Sequence, residues 1–160
     1  MTDIKREVFD ITDVKMASDV SRVYRSANDG SSSMVHYEEA IPNKSKFRFF
    51  GVNNMRDELI GFAFYQLVGE VPQLLQIAVD DDYKGKRVGK FLVSESLTAL
   101  AMDNRAERVK VSVVMSLART RFYGSCGFTD TDGNVLGDEH VNAGKYRILL
   151  KDINCGNKGK

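Results

Sequence analysis

Residues 59–68 constrain the fold of this chain more than any other stretch. Strict alternation puts Leu59, Ala63 and Leu67 on one face and Ile60, Phe62, Phe64 and Val68 on the other. A strand apolar on both faces has to be covered on both faces. Gln73–Asp80 reads as a second central strand, with Leu75, Ile77 and Val79 on one face. A longer helix follows, on which Val88, Leu92 and Ala99 form one line and Val93, Leu97 and Leu100 another. Coverage that wide is the pattern of a helix packed on a sheet. Glu107–Val114, with Val109, Val111 and Val113 on one face, completes a strand–helix–strand crossover. Such a crossover implies parallel or splayed pairing.

Around this centre, Ile4–Ile11 reads as an edge strand. Thr12 or Asp13 offers an N-cap to a helix over Val14–Ser26, with Val20, Val23, Tyr24 and Ala27 at helical spacing. Asn28–Ser33 is a polar loop, and Met34–Ala40 a short helix that stops before Pro42. Lys46–Asn53 is a strand and Asn54–Asp57 a turn. Leu117–Ser125 is a short helix ended by Gly127, and Phe128–Thr131 and Lys145–Lys151 read as a last strand pair. The predicted order is β-α-α-β-β-β-α-β-α-β-β, a sheet with helices on both faces.

Composition narrows the function classes. The 160 residues fit a single domain over 1–153, with 154–160 as a flexible tail. Hydrophobic content of 42% and charged content of 28% exclude a wholly disordered chain. A net charge of +1 gives no reason to expect nucleic-acid or membrane-surface binding. Cys126 and Cys155 do not make a disulfide framework and read as free thiols. No apolar run approaches a membrane span, and residues 1–10 do not read as a signal peptide, so a cytoplasmic location is expected.

The chemistry is carried by the stretch from Val79 to Lys90, which joins a buried strand to a helix N-terminus. Free backbone N–H groups and the positive end of the helix dipole meet there. Gly85 and Gly89 permit close approach of a ligand, and Lys84, Lys86, Arg87 and Lys90 supply four cations within seven residues. These features suit a pyrophosphate. The equally plain reading is a solvated turn with exposed lysines. A Walker A loop is excluded because three residues, not four, separate Gly85 from Gly89 and Phe91 follows Lys90. The G-x-G-x-x-G spacing of dinucleotide-binding folds is absent. There is no G-x-S-x-G elbow and no CxxC or HExxH, which disfavours hydrolase and metal chemistry. A Cys126/His pair has no recognisable local context.

At these residues the chain resembles a GNAT-family acyl-CoA N-acyltransferase. That family carries Q/R-x-x-G-x-G/A after its fourth strand; here Lys84 stands first, Arg87 replaces the middle glycine and Gly89 stands last. A second family pattern, N-x-x-A-x-x-F/L-Y-x-x-x-G-F, matches at Phe122, Tyr123, Gly127 and Phe128, with Ser116 for the Asn and Arg119 for the Ala. The likeness is good over Leu74–Phe128 and holds only by element order over Ile4–Val68.

The resemblance implies an α/β (α+β) fold with a mixed, mostly antiparallel central sheet, splayed between its fourth and fifth strands. It implies acetyl-CoA as co-substrate and no metal. Pantetheine would lie in the gap against the backbone of Ile77, Ala78 and Val79. The pyrophosphate would sit on Lys84, Gly85, Lys86, Arg87, Val88, Gly89 and Lys90, with Ser116 and Arg119 as further contacts. The cradle is expected to survive the loss of the middle glycine if Arg87 keeps a negative φ. An amine acceptor would attack the thioester directly, with Tyr123 as general acid to the departing thiolate. His36, Tyr37 and Glu38 would wall the acceptor site. Asp80, Asp81 and Asp82 would turn away from the phosphates. Gln76 faces away from Ile77 and cannot act as a base. A small-molecule amine is favoured over a protein N-terminus or lysine, and a CoA-binding module without catalysis is the reading from another class. Exposed final strands offer an edge for homodimer pairing.

Overall fold

A computed structural model describes residues 3–67, 69, 71–104, 107–114, 116–137, 140 and 146–153. The 154–160 tail, Cys155, Val68 and Lys145 lie outside the described residues. Six strands form one sheet in chain order: β1 (Phe9–Asp10), β2 (Phe47–Asn53), β3 (Leu59–Gln66), β4 (Gln73–Val79), β5 (Arg108–Val114) and β6 (Tyr146–Asp152). All pairs are antiparallel except β4 with β5, which run parallel and pair at Gln73↔Lys110.

Among the described residues four α-helices cover the sheet: α1 (Ala17–Ala27), α2 (Tyr37–Ala40), α3 (Val88–Asn104) and α4 (Leu117–Ser125). α1 and α2 pack Val20, Val23, Tyr37 and Ala40 on one face, against Phe49, Phe62 and Phe64. α3 and α4 cover the other face, with Val88, Leu92, Val93, Leu97, Leu100 and Tyr123 against Phe50, Val52, Ala63 and Tyr65. The buried Ser96 of α3 is satisfied by Tyr65 Oη at 2.5 Å and donates to the Val93 carbonyl at 3.2 Å. Gly127, at φ +92°, ends α4 in the left-handed conformation expected of a C′ glycine.

The first helix begins later than its spacing suggests. Asp13 caps a single 3-10 turn at Val14–Met16, its Oδ1 accepting from the Lys15 N–H at 2.9 Å, and α1 follows. The expected strand over Ile4–Ile11 shortens to two residues plus a bridge from Ile4 to Asn54. The expected strand at Phe128–Thr131 is no strand; Thr129 bridges Val135 and Leu150 singly.

Two bulges correct the face assignments. Asn53 pairs with Leu59 and Val52 with Gly61, so Ile60 is an extra residue in β3. The extra residue reverses the alternation before it. Leu59 therefore joins Phe62 and Phe64 under α1, and Ile60 joins Ala63 under α3, the opposite of strict alternation. In β4, Phe64 pairs with Gln76 and Tyr65 with Leu74, leaving Leu75 as the extra residue. Leu74, not Leu75, then packs in the core with Ile77 and Val79. Leu74 is 1% exposed and Leu75 39%. The bulge makes a direct prediction. Leu74→Ala should cost about 2–5 kcal/mol, and Leu75→Ala less than ~1 kcal/mol. Urea denaturation of the two variants checks the difference.

Candidate active site

Parallel strands joined by a helix need not pair along their whole length, and β4 and β5 meet only near the start of β4. Beyond that point lies a cleft of about 710 Å³. Ile77, Ala78 and Val79 of β4 form one wall, and Tyr83, Lys84, Gly85 and Arg87 of the following loop a second. Val88, Gly89 and Lys90 contribute the first turn of α3. Ala118, Arg119, Phe122, Tyr123 and Ser125 contribute one face of α4, and Ala27 and Asn28 the end of α1. The two motif segments, separated in sequence by a helix and a strand, therefore line one cleft.

The loop is shaped by its own polar groups. Asp80 caps a 3-10 turn at Asp81–Tyr83, accepting from the Asp82 N–H at 3.0 Å, and its other oxygen meets Arg22 at 3.4 Å. Asp81 lies 3.5 Å from the Lys84 ammonium. These two carboxylates are thus held by groups of the loop and of α1. Lys84 also donates to the Ala27 carbonyl at 3.2 Å, and the Asp81 N–H to Ser26 Oγ at 2.9 Å, tying the loop to the end of α1. Gly85 takes φ +80°.

Arg87 takes φ +64°, not the negative φ expected of a non-glycine residue. A left-handed backbone costs an L-residue about 1–2 kcal/mol. The loop geometry demands it here: the Arg87 carbonyl accepts the first α3 hydrogen bond, from Phe91 N–H at 3.1 Å. The N–H groups of Val88, Gly89 and Lys90 precede that bond and have no acceptor within the helix. Backbone N–H groups of this kind, with the helix dipole behind them, make this end of α3 a candidate anion site. Gly89 has a packing reason as well, since a Cβ there would stand 3.2 Å from the Phe122 ring.

Tyr123 is 8% exposed and sits edge-on between Phe122 and Phe128, with ring centroids 5.1 and 5.5 Å away. Burial pushes its pKa up to about 12, against the opposing pull of Arg119, so the phenol is protonated at neutral pH. Ser116 caps α4, its Oγ accepting from the Arg119 N–H at 3.1 Å. Ser and Asn are equivalent N-caps, which accounts for the Ser116 departure from the family pattern.

Lys86 and Ser116 do not line the cleft. His36, Tyr37 and Glu38 line a separate cavity of about 490 Å³ beside Lys15 and Ser18. Tyr37 is a core residue, 4% exposed, with its ring edge-on to Phe49 and Phe62. Its hydroxyl donates to Gln76 Oε1 at 2.7 Å, and Gln76 Nε2 donates to Ser33 Oγ at 3.1 Å. Burial holds the Tyr37 phenol up at about 12. No Cys–His pair forms with His140, which bonds Asp130 and Gly137; burial pushes the Cys126 thiol up. Sequence reasoning missed Ala27, Asn28, Tyr83, Ala118, Phe122 and Ser125 as cleft residues. Ala118, Phe122 and Ser125 were findable, because they recur at helical spacing on the side of Arg119 and Tyr123.

A model of the GNAT acetyltransferase domain matches residues 45–130, more than half of the chain. The chain belongs to the GNAT family of acyl-CoA-dependent acetyltransferases. Solved structures share its fold. The ribosomal-protein-S18-alanine N-acetyltransferase of Escherichia coli has a TM-score of 0.71 at 18% identity, over 96% of this chain and 97% of that one. The PaiA N-acetyltransferase of Thermoplasma acidophilum, in complex with coenzyme A, has 0.61 at 18%, over 91% and 99%. A variant of the spermidine N-acetyltransferase of Vibrio cholerae has 0.68 at 14%, over 91% and 92%. Among curated proteins none matches the chain in sequence. Among the described residues, no helix is long and apolar enough to cross a membrane.

Two variants probe the loop. Arg87→Gly should relieve the left-handed strain and raise stability by about 0.5–1 kcal/mol, after glycine's entropic cost. The melting temperature then rises by roughly 1–4 °C, while loss of the cation weakens acetyl-CoA binding. Gly89→Glu sets a carboxylate against the anion site and should raise the acetyl-CoA Kd at least about tenfold. Unchanged affinity in the folded variant would remove the anion site from α3.

Proposed function

We propose that this chain transfers the acetyl group of acetyl-CoA to a primary amine, a small-molecule amine being favoured, by direct attack on the thioester. One observation carries the reading. A single cleft holds both a cationic helix N-terminus and, across it, a buried protonated phenol. The α3 amides, with Arg87, Lys90 and Arg119, suit the pyrophosphate, and the backbone of Ile77–Val79 suits the pantetheine amides, as an added strand would.

In the reaction the amine lone pair forms a C–N bond to the thioester carbonyl. The C–S bond breaks with its electron pair passing to sulfur. Tyr123 gives its proton to that thiolate, the nitrogen loses a proton to water, and Tyr123 is reprotonated from solvent. A thiolate, whose conjugate acid has pKa ~8.5, is a weaker base than the Tyr123 phenolate, so this transfer is uphill and belongs late in bond breaking.

Tyr123→Phe should lower kcat about 100-fold or more and leave the acetyl-CoA Kd within about twofold. Because the Tyr123 pKa is raised to about 12, its proton is present throughout the neutral range and is lost only near that value. The wild-type rate should therefore show no descending limb from Tyr123 below about pH 10. An unaltered rate in Tyr123→Phe excludes the acid role. Acetyl-CoA binding without thiol release, across a broad panel of amines, favours the non-catalytic CoA-binding module.

A further inference from the structure

Four cations stand on the loop between β4 and α3, and charge spacing alone would commit all four to phosphate. The structure divides them. Lys86 does not line the cleft. Arg87 and Lys90 line it, and among the described residues neither side chain makes a hydrogen bond or an ion pair. Lys84 lines it too, but its ammonium is engaged. It donates to the Ala27 carbonyl at 3.2 Å and lies 3.5 Å from Asp81.

The ion pair with Asp81 is exposed and contributes little by itself. The contact with the carbonyl says more. The last turn of a helix has carbonyls with no partner inside the helix. In α1 the chain's own exit supplies two donors: the Tyr24 carbonyl accepts from Asn28 Nδ2 at 2.8 Å and that of Arg25 from the Gly30 N–H at 2.7 Å. Ala27, the last residue of α1, takes its donor from another element. A cation is the donor that the negative end of a helix dipole favours.

Two further ties run beside this one. Asp80 meets Arg22 at 3.4 Å, and the Asp81 N–H donates to Ser26 Oγ at 2.9 Å. Arg22 and Ser26 lie one turn apart, with Ala27 next, so loop and helix are laced along one side of α1. The lacing joins two stretches of the cleft lining that are far apart in sequence. One is Ala27 and Asn28, and the other is Tyr83, Lys84 and Gly85.

We infer that Lys84 is a positioning residue and not a phosphate ligand. By capping the end of α1 it holds Ala27 and Asn28 against the cofactor loop, and it leaves the loop's share of the phosphate charge to Arg87 and Lys90. The inference rests on the acetyl-CoA reading above. The two roles separate by chemistry: a neutral donor at position 84 can still cap a carbonyl, but it cannot balance a phosphate charge.

The test needs no acceptor amine. It compares the wild type with Lys84→Gln, which keeps a donor without the charge, and Lys84→Met, which keeps neither. Hydrogen exchange of the protein without acetyl-CoA reads the fastening at residues 26–31, where the N–H groups of Asn28, Gly30 and Ser31 are hydrogen-bonded. Calorimetry reads the acetyl-CoA Kd at about 0.05 M and about 0.5 M sodium chloride, since only a charge contact is screened. Lys84→Met should speed exchange at 26–31 and raise the Kd about fivefold at both salt concentrations, while Lys84→Gln stays within about twofold of the wild type. Equal losses of affinity in the two variants, shrinking at high salt with exchange unchanged, would make Lys84 a phosphate ligand and overturn the inference. Faster exchange in Lys84→Met with an unchanged Kd overturns it as well, because the fastening would then serve stability alone. If the wild type fails to bind acetyl-CoA, the transferase reading falls and takes the cofactor role of Lys84 with it; the exchange pattern tells that case from the others.

Discussion

The parting of β4 from β5 is the constraint on which the rest of this molecule depends. Backbone amides in a sheet interior are normally consumed by their neighbours. Here the two strands are parallel, linked by the α3 crossover, and register together only at Gln73↔Lys110. The other edge of β4 is paired to β3 as far as Gly61↔Val79, so β4 is held in the sheet beyond the point where β5 leaves it. Because β5 leaves, β4 faces open space, and α3 and α4 converge on it from the same side of the sheet. A cleft in the middle of a continuous core is thus produced by withholding strand pairing, with no hole in the packing.

Electrostatics then divides the cleft into two ends. One end is the α3 N-terminus, where Arg87 takes a left-handed backbone and Lys90 adds charge. The other is α4, where an aromatic cluster buries Tyr123 and keeps its proton on. The same burial that makes Tyr123 look like a packing residue raises its pKa, so the phenol stays protonated while becoming a weaker acid. Gly89 joins the two ends, since the missing Cβ lets the Phe122 ring lie against the first turn of α3.

The segment between α1 and α2 is fastened to this frame twice. Lys84 and Asp81 hold the end of α1 to the loop, and Tyr37 with Ser33 holds the start of α2 to Gln76 of β4. Both fastenings reach residues within one or two positions of the cleft wall. The α1 side of the cleft is therefore bounded by elements anchored to β4, the strand that forms one cleft wall.

Much of this was legible in the chain. Hydrophobic period identified β3, β4, α3 and β5, because long periodic runs bury their faces whatever their neighbours are. Glycine and charge spacing located the loop at 84–90, and Phe122-Tyr123 with Gly127-Phe128 located α4. The bulges at Ile60 and Leu75 were not legible, because a single inserted residue is decided by cross-strand register and leaves no mark in composition. The positive φ of Arg87 was hidden for a similar reason: arginine does not prefer that conformation, and only the join of loop to helix imposes it. Tyr37 carried the opposite error, an aromatic beside His36 and Glu38 that reads as a site residue until its ring is seen among Phe49 and Phe62. By itself the sequence determined which segments form the central elements and where the glycine- and cation-rich loop falls, since those follow from local period, capping and charge. Only the tertiary structure decided which side chains share the cleft, because that depends on where β4 and β5 separate, and no local pattern records the distance between strands joined by a helix.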